Sequence, residues 1–393
     1  LNVNASKPGG NFPKHYLILK VHILVFRKEI EKVQTIVIKI GSRILTSDGH
    51  RQRLTHIVDD IAALHKHGLR VIIVSSGAIA HGMSVLKMEK RPTTIPLKQA
   101  CAAIGQNKLM QMYDQYFSKH SIIIGQVLLT WDDLKSKKRY LNLRNTFFQL
   151  LDHESIPIVN ENDSVGVEEI RFGNNDILGA QIALLAQADV FVNLTDVGGL
   201  YDKNPHTDVT AKHIPVVSQF STSLHQLADE KKSEISVGGM STKLKAAEIV
   251  TRAGIYAIIG DGYDQRIRDV ILNEHCATLF LPSKRRMSSM RRWIAFSGSS
   301  AGKITVDSGA ERAILKMGKS LLPAGIKRCE GSFKSGDMVQ IFNEQNQPVA
   351  KGLVNYTSEE ISTIAGCKTG QITEKLGHKS FDEVIHRDNM VLI

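Results

Sequence analysis

The chain has only four cysteines among its 393 residues, Cys101, Cys276, Cys329 and Cys367, and no two of them form a CxxC pair. Such scattered thiols suggest neither a disulfide framework nor a zinc site, and they fit a reducing compartment. A membrane-spanning run is also missing. The apolar stretch Tyr16 to Phe26 is eleven residues long and contains Lys20 and His22, too short and too polar to cross a bilayer. A signal peptide would need small residues for cleavage after it, and Arg27-Lys28-Glu29 follows instead. The Walker A sequence GxxxxGK[ST] is absent, as are the HRDxxxxN and DFG signatures of protein kinases, so any phosphate chemistry belongs to another fold. The histidines lack metal-ligand spacing and are assigned to surface or structure.

What is present suffices for real cores. Hydrophobic residues make up 42% of the chain, and its length accommodates two domains. A formal net charge of +11 raises nucleic acid as a partner, so its placement matters. Lys and Arg outnumber Asp and Glu by 6 to 2 in residues 1–34 and by 17 to 11 in residues 281–393, whereas residues 35–280 carry 27 against 26. The excess therefore sits in the flanks. Residues 1–34 read as an extension of uncertain status, either translation of an upstream stretch or an added surface strand or helix.

From Thr35 onward the pattern alternates between strand and helix. Thr35 to Ile40 is a β-branched run leading into Gly41 and Ser42. Leu54, Ile57, Val58, Ile61 and Leu64 recur at helical spacing up to Gly68, and Val71 to Val74 is a second buried strand ending in Ser75-Ser76-Gly77. This βαβ unit requires a parallel sheet. Lys39 is informative, because an ammonium group on a buried strand needs an anionic partner unless it reaches solvent. Further helices are expected at 97–119, 140–152 and 177–186, and strands at 122–129 and 189–194, the last ending in Thr195-Asp196.

The densest polar stretch is Asn160-Glu161-Asn162-Asp163, directly after the apolar run Ile156 to Val159, with Gly173-Asn174-Asn175-Asp176 ten residues on. Asn and Asp serve as turn residues, but two such clusters at a strand end exceed what turns require, and open α/β sheets bind ligands at that end. A third element, Val237-Gly238-Gly239-Met240-Ser241-Thr242-Lys243, opens a helix that stops at Gly254. Glycines and backbone N–H groups at a helix N-terminus favour phosphate, while a flexible loop with a Ser or Thr cap is the plainer explanation. Past it, Lys284-Arg285-Arg286 and Arg291-Arg292 among serines mark a basic connector, and short strands near 303–306, 338–342 and 349–354 suggest a small β-rich domain.

Taken in this order, the motifs Ile38-Lys39-Ile40-Gly41, Ser75 to Ile79, Asn160 to Asp163, Gly173 to Asp176, Thr195-Asp196 and Gly238 to Lys243 resemble the glutamate 5-kinases, from about Thr35 to the C-terminus. The resemblance implies an α/β three-layer αβα sandwich with a mainly parallel sheet, the amino acid kinase fold, plus a small β-rich PUA-like barrel. The implied division is an extension at 1–34, a kinase domain at 35–281, a basic linker at 282–300, a PUA domain at 301–380 and a tail at 381–393. The implied reaction phosphorylates the γ-carboxylate of L-glutamate with ATP and Mg²⁺, opening proline biosynthesis.

By the same resemblance Lys39 and Lys243 neutralise charge and Asp176 holds them. Ser76, Gly77, Asn160, Asp163 and Asn175 take glutamate, with no protein metal ligand. Lys39, Gly41, Thr195, Asp196, Val237, Gly238, Gly239, Met240, Ser241, Thr242 and Lys243 take ATP. L-proline as feedback inhibitor, a homotetramer, a glutamate-5-semialdehyde dehydrogenase partner and a cytoplasmic location come with it. Three departures bear on turnover or nucleotide preference: Asn174 in place of Asp, Ser236-Val237 in place of Gly-Thr, and a Lys/Glu-rich stretch from Asp229 to Ser236. Acetylglutamate kinase and aspartokinase share the chemistry, but the ending from Lys303 to Gly370 argues against both. RNA binding through the PUA-like part is a reading of another class, disfavoured by the lack of interleaved aromatics.

Overall fold

The computed structural model describes residues 32–166, 175–203, 205, 207–221, 224, 239–272, 275–283, 289–296 and 300–393. Residues 1–31 of the extension, Gly173 and Asn174, the stretch Asp229 to Ser236, and Val237 and Gly238 lie outside them. Two units divide the chain, Leu1–Thr130 with Asn145–Lys284, and Trp131–Arg144 with Arg285–Ile393.

Strands of the first unit are Thr35–Ile40 (β1), Arg70–Val74 (β2), Ile124–Leu129 (β3), Ile156–Glu161 (β4), Val190–Thr195 (β5), Leu200–Tyr201 (β6), His213–Ile214 (β7), Val216–Val217 (β8), Tyr256–Asp261 (β9) and Ala277–Phe280 (β10). Eight of them form one sheet in the order β3-β4-β2-β1-β5-β9-β10-β8, while β6 and β7 make a separate hairpin. Every pair in the large sheet is parallel except β9 with β10. All six residues of β1, β4 and β5 are buried, the mark of strands covered on both faces. That explains why they are mostly apolar, and makes the charged and amide residues among them, Lys39, Asn160, Glu161 and Asn193, the exceptions.

Helices follow the strands, Ser42–Thr46 (α1), His50–Lys66 (α2), Ala78–Val85 (α3), Ile95–Phe117 (α4), Trp131–Lys135 (α5), Lys137–Asp152 (α6), Asn175–Leu185 (α7), Met240–Arg252 (α8) and Ile267–Leu272 (α9), of which α5 and the start of α6, up to Arg144, belong to the second unit. In α2 the buried residues are Leu54, Ile57, Val58, Ile61 and Ala62, one apolar stripe against the sheet. Pro96 stands in the first turn of α4, where its missing N–H costs no helical bond. The chain moves from β1 to β2, passes to the edge strand β3, comes back through β4 and then crosses to β5 on the other side of β1. The carboxyl ends of β1 and β5 therefore flank a topological switch point, the place where such sheets receive ligands.

Helix α4 owes its position to Gly105. A Cβ there would lie 1.8 Å from the Ala78 carbonyl oxygen and 2.4 Å from the Gly82 nitrogen, so α3 and α4 touch backbone to backbone. This close approach carries the next residue, Gln106, to the end of the sheet.

The second unit has its own core, which includes Ile304, Val306, Val339, Ile341, Val349 and Ile385. Its strands are Gly302–Val306 (β11), Ile326–Gly331 (β12), Met338–Phe342 (β13), Pro348–Leu353 (β14) and Met390–Leu392 (β15), in the order β12-β11-β13-β14-β15. Helices Ser289–Phe296 (α10), Ser308–Met317 (α11), Ser358–Ile364 (α12) and Ile372–Leu376 (α13) accompany them. Two stretches carry more structure than their sequence suggests. The basic 282–300 stretch contains α10, whose Trp293 is buried, donates to the Leu134 carbonyl at 3.3 Å and meets Tyr140 at 6.1 Å between ring centroids. The 381–393 stretch supplies β15, in which only Met390 is buried, too short an apolar signal to read as a strand.

Gly105→Ala should lower the unfolding free energy by about 1–3 kcal/mol in urea titration, because overpacking outweighs the better helix propensity of alanine. Asn107→Ala, exposed on the same helix, should stay within about 0.5 kcal/mol; equal effects would show that the contact between α3 and α4 is loose.

Candidate active site

At the switch point the carboxyl end of β1 supplies Lys39 and that of β5 supplies Asn193, which are paired neighbours in the sheet register. Helix α7 lies over both. Gly179 lets it do so, since a Cβ there would stand 2.8 Å from the Phe191 ring and 3.3 Å from Lys39 Cβ. One turn earlier on α7, Asp176 meets the strand residues. Its Oδ1 accepts from Lys39 Nζ at 2.7 Å and Asn193 Nδ2 at 3.1 Å. Its Oδ2 accepts from Thr242 Oγ1 at 2.7 Å and Lys243 Nζ at 3.2 Å, both in the first turn of α8.

These four bonds use all the lone-pair directions a carboxylate offers. The side chains of Lys39, Lys243 and Asp176 are 8%, 11% and 4% exposed, so the cluster is almost wholly desolvated. Burial by itself would push the Asp176 carboxyl up. The charges of Lys39 and Lys243 and the bonds from Lys39 and Thr242 outweigh it and hold the group well below the usual carboxylate range. Two ammonium groups thus share one carboxylate in an almost wholly desolvated cluster, where fixed charges act more strongly than in water.

Other residues singled out from the sequence fall into two groups around this centre. On the α8 side, Gly239 caps the helix, and its carbonyl accepts from the Thr242 N–H at 3.2 Å and hydroxyl at 2.9 Å. Met240 and Ser241 follow half-buried, so their backbone sits at the positive end of a thirteen-residue helix. At the carboxyl end of β5, Thr195 Oγ1 donates to Asp196 at 3.1 Å, and Arg43 of α1 donates to the other Asp196 oxygen at 2.5 Å. Burial would raise the Asp196 carboxyl, but the Arg43 guanidinium and these bonds hold it low. Gly41 N–H bonds the Leu194 carbonyl at 3.1 Å, closing β1 onto β5.

On the other side, Ser76 is buried and donates to the Ile40 carbonyl at 2.7 Å, which leaves its oxygen as an acceptor. Gly77, with φ of 93°, turns the chain into α3. Asn160 Oδ1 receives the Glu161 N–H at 3.0 Å and Asn175 Nδ2 at 3.1 Å; Asn175 Nδ2 also donates to the Ser75 carbonyl at 2.8 Å. Asp163 stands half-buried in the turn after β4. Lys39, Lys243, Asp176 and Thr242 are thus in direct contact, Asn160 and Asn175 are in contact with each other, and Val237 and Gly238 are outside the described residues.

Sequence reasoning passed over Asn193, Gln106, Tyr113 and Arg43. Asn193 had a signal, a single amide inside the apolar run Val190 to Leu194. Gln106 and Tyr113 lie in a long helix whose inward face the sequence does not mark as polar. Gln106 Oε1 accepts from Asn160 Nδ2 at 2.8 Å and the Tyr113 hydroxyl bonds Ser75 Oγ at 3.0 Å. Burial pushes the Tyr113 phenol up, against the Ser75 bond, so it stays neutral at physiological pH.

Residues 34–261 match the amino acid kinase family and residues 302–376 match the PUA domain. A glutamate 5-kinase from Syntrophus aciditrophicus (strain SB) is 44% identical over 367 residues, spanning 93% of this chain and 95% of that protein. One from Thermoanaerobacter sp. (strain X514) is 44% identical over 362 residues, covering 91% and 97%. Carboxydothermus hydrogenoformans has one that is 42% identical over 371 residues, covering 93% and 100%. Among solved structures, carbamate kinase from Giardia lamblia bound to AMP-PNP overlies 64% of this chain and 99% of its own at 17% identity and a TM-score of 0.44, too loose a likeness to bear on the site.

A carboxylate with a depressed folded pKa contributes stability that is complete above its unfolded value and lost as the pH falls through the folded one. Asp176→Asn should therefore cost about 3–5 kcal/mol at neutral pH, because it removes the carboxylate that both buried ammonium groups share. Measured by urea unfolding at successive pH values, the gap from the wild type should be level between about pH 5 and 8 and narrow below about pH 4. A gap that persists unchanged into acid would mean that Asp176 is not the ionised partner of the lysines.

Proposed function

The chain belongs to the glutamate 5-kinases of the amino acid kinase family, and on that premise we propose that it transfers the γ-phosphoryl group of ATP to the γ-carboxylate of L-glutamate, forming L-glutamyl 5-phosphate at the start of proline biosynthesis. The observation that carries the reading within this molecule is the joining of Lys39 and Lys243, from opposite ends of the first unit, on the one carboxylate of Asp176.

The chemistry needs no general base. A γ-carboxyl group with a pKa of about 4 is already ionised at neutral pH and is itself the nucleophile. The difficulty is electrostatic, since an anionic oxygen must approach an anionic phosphoryl group in line with the leaving oxygen. Lys39 and Lys243 are proposed to neutralise that charge in the dry crevice, where fixed cations act most strongly. Asp176 is proposed as their organiser: with its lone pairs occupied it neither takes a proton nor binds a metal. Gly239 to Thr242 at the N-terminus of α8, with Thr195, Asp196 and Gly41, are proposed to take the nucleotide, and Val237 and Gly238 to extend that set. Ser76, Gly77, Asn160, Asp163 and Asn175 are proposed to take glutamate, Asp163 by pairing with its ammonium.

Among the described residues no group of three or more His, Cys, Asp or Glu side chains is placed to hold a metal ion. Mg²⁺ is proposed to arrive with ATP, where it would neutralise phosphate charge. Feedback by L-proline, a homotetramer, a glutamate-5-semialdehyde dehydrogenase partner, RNA binding by the second unit and a cytoplasmic location rest on the family resemblance alone. No helix among the described residues is long and apolar enough to cross a membrane.

ADP release from ATP and Mg²⁺ should occur with L-glutamate and not with N-acetyl-L-glutamate or L-aspartate. Lys39→Ala and Lys243→Ala should each reduce kcat by about a hundredfold or more while circular dichroism stays native. Release with N-acetyl-L-glutamate or L-aspartate instead would move the assignment to another enzyme of this fold, and near-normal rates in either lysine variant would sink the mechanism.

A further inference from the structure

Three amides stand in a row at the substrate side, and their bonds determine which way each one points. Gln106 is 8% exposed and spends its oxygen on Asn160 Nδ2. Asn160 spends its own oxygen on the Glu161 N–H and on Asn175. Asn175 spends its nitrogen on Asn160 and the Ser75 carbonyl. Gln106 Nε2 at one end of the row and Asn175 Oδ1 at the other are buried and have no hydrogen-bond partner among the described residues. One is a donor and the other an acceptor.

Two orphaned polar atoms in one buried network are costly, because each has given up water without replacement. A ligand that supplies an acceptor to Gln106 and a donor to Asn175 removes both costs. An α-amino acid carries that pair on a single carbon, a carboxylate that accepts and an ammonium that donates. Position along the row agrees. Asn175 adjoins Asp176 and the lysines, whereas Gln106 lies two amides further away, so a substrate with its reacting carboxylate at the lysines presents its α-carbon groups to this row.

We propose that Gln106 is a specificity-determining substrate contact whose Nε2 donates to the α-carboxylate of the amino-acid substrate, while Asn175 Oδ1 accepts from the α-ammonium. The inference rests on the glutamate reading above and adds to it the group that recognises the non-reacting end. Helix α4 is then a specificity element, held against α3 through Gly105 so that Gln106 reaches the site and Tyr113 steadies Ser75.

L-Isoglutamine tests the proposal, because it keeps the γ-carboxylate and the ammonium but carries a carboxamide in place of the α-carboxylate. Gln106→Glu keeps the oxygen that accepts from Asn160 and turns the donor into a second acceptor, which repels a carboxylate and welcomes an amide N–H. The wild type should prefer glutamate over isoglutamine by about a hundredfold in kcat/KM. In Gln106→Glu the KM for glutamate should rise by about tenfold or more, the KM for ATP should stay within about twofold, and the preference should shift toward isoglutamine by at least about tenfold.

Should that variant not fold, Gln106→Met, which retains the volume, should erase most of the same preference. A preference unchanged in the variants, or a loss shared equally by both acids, would reduce Gln106 to a structural residue and overturn the proposal. A wild type that phosphorylates neither acid would overturn the glutamate reading itself and the proposal with it, a result distinct from an active enzyme indifferent to Gln106.

Discussion

The carboxylate of Asp176, with four hydrogen bonds on its two oxygens, is the constraint on which the site depends. It pairs with two buried lysines and joins four elements, β1 through Lys39, β5 through Asn193, α7 through its own backbone and α8 through Thr242 and Lys243. An unpaired ammonium in such surroundings costs several kcal/mol, so the pairing is a condition of the fold as well as of the chemistry. A buried ion pair is rarely the most stable filling for a core. In the mechanism proposed above, its value would lie in holding two cations ready, without rearrangement, for the charge that develops during transfer.

The sheet topology explains why such different residues converge. Strands β1 and β5 are neighbours at the point where the strand order reverses, so the loops leaving their carboxyl ends diverge and open a crevice. Lysines and a helix N-terminus collect on one side of it. Amides and a serine collect on the other, at the ends of β2 and β4. The two sides offer different physics, ammonium groups and a helix N-terminus on the one, amides and a hydroxyl on the other, and they meet at the consecutive residues Asn175 and Asp176.

Much of this was legible in the sequence. The parallel sheet followed from the βαβ alternation of Thr35 to Val74, and α2 from its helical spacing. Lys39, Asp176 and the Val237 to Lys243 stretch stood out as charge and glycine at strand and helix ends, and the family resemblance gave them their expected roles. Gln106 and Tyr113 were not legible, since a polar residue in a long helix is ordinarily solvated and only the contact at Gly105 turns this face inward. Trp293 was masked by the arginines and serines around it, and β15 by its length.

The sequence by itself determined which residues are too polar to be buried unpaired and which segments must be strands or helices, because hydrophobic period and side-chain chemistry are local properties. Only the tertiary structure decided which of those groups share a partner. That Lys39 and Lys243 meet on one carboxylate, and that the row from Gln106 to Asn175 ends in one donor and one acceptor, depends on distances across the sheet that a linear pattern does not contain. The physical reason is that a hydrogen bond acts over about 3 Å, while the residues it joins here come from separate strands and helices brought together only by the packing of the core.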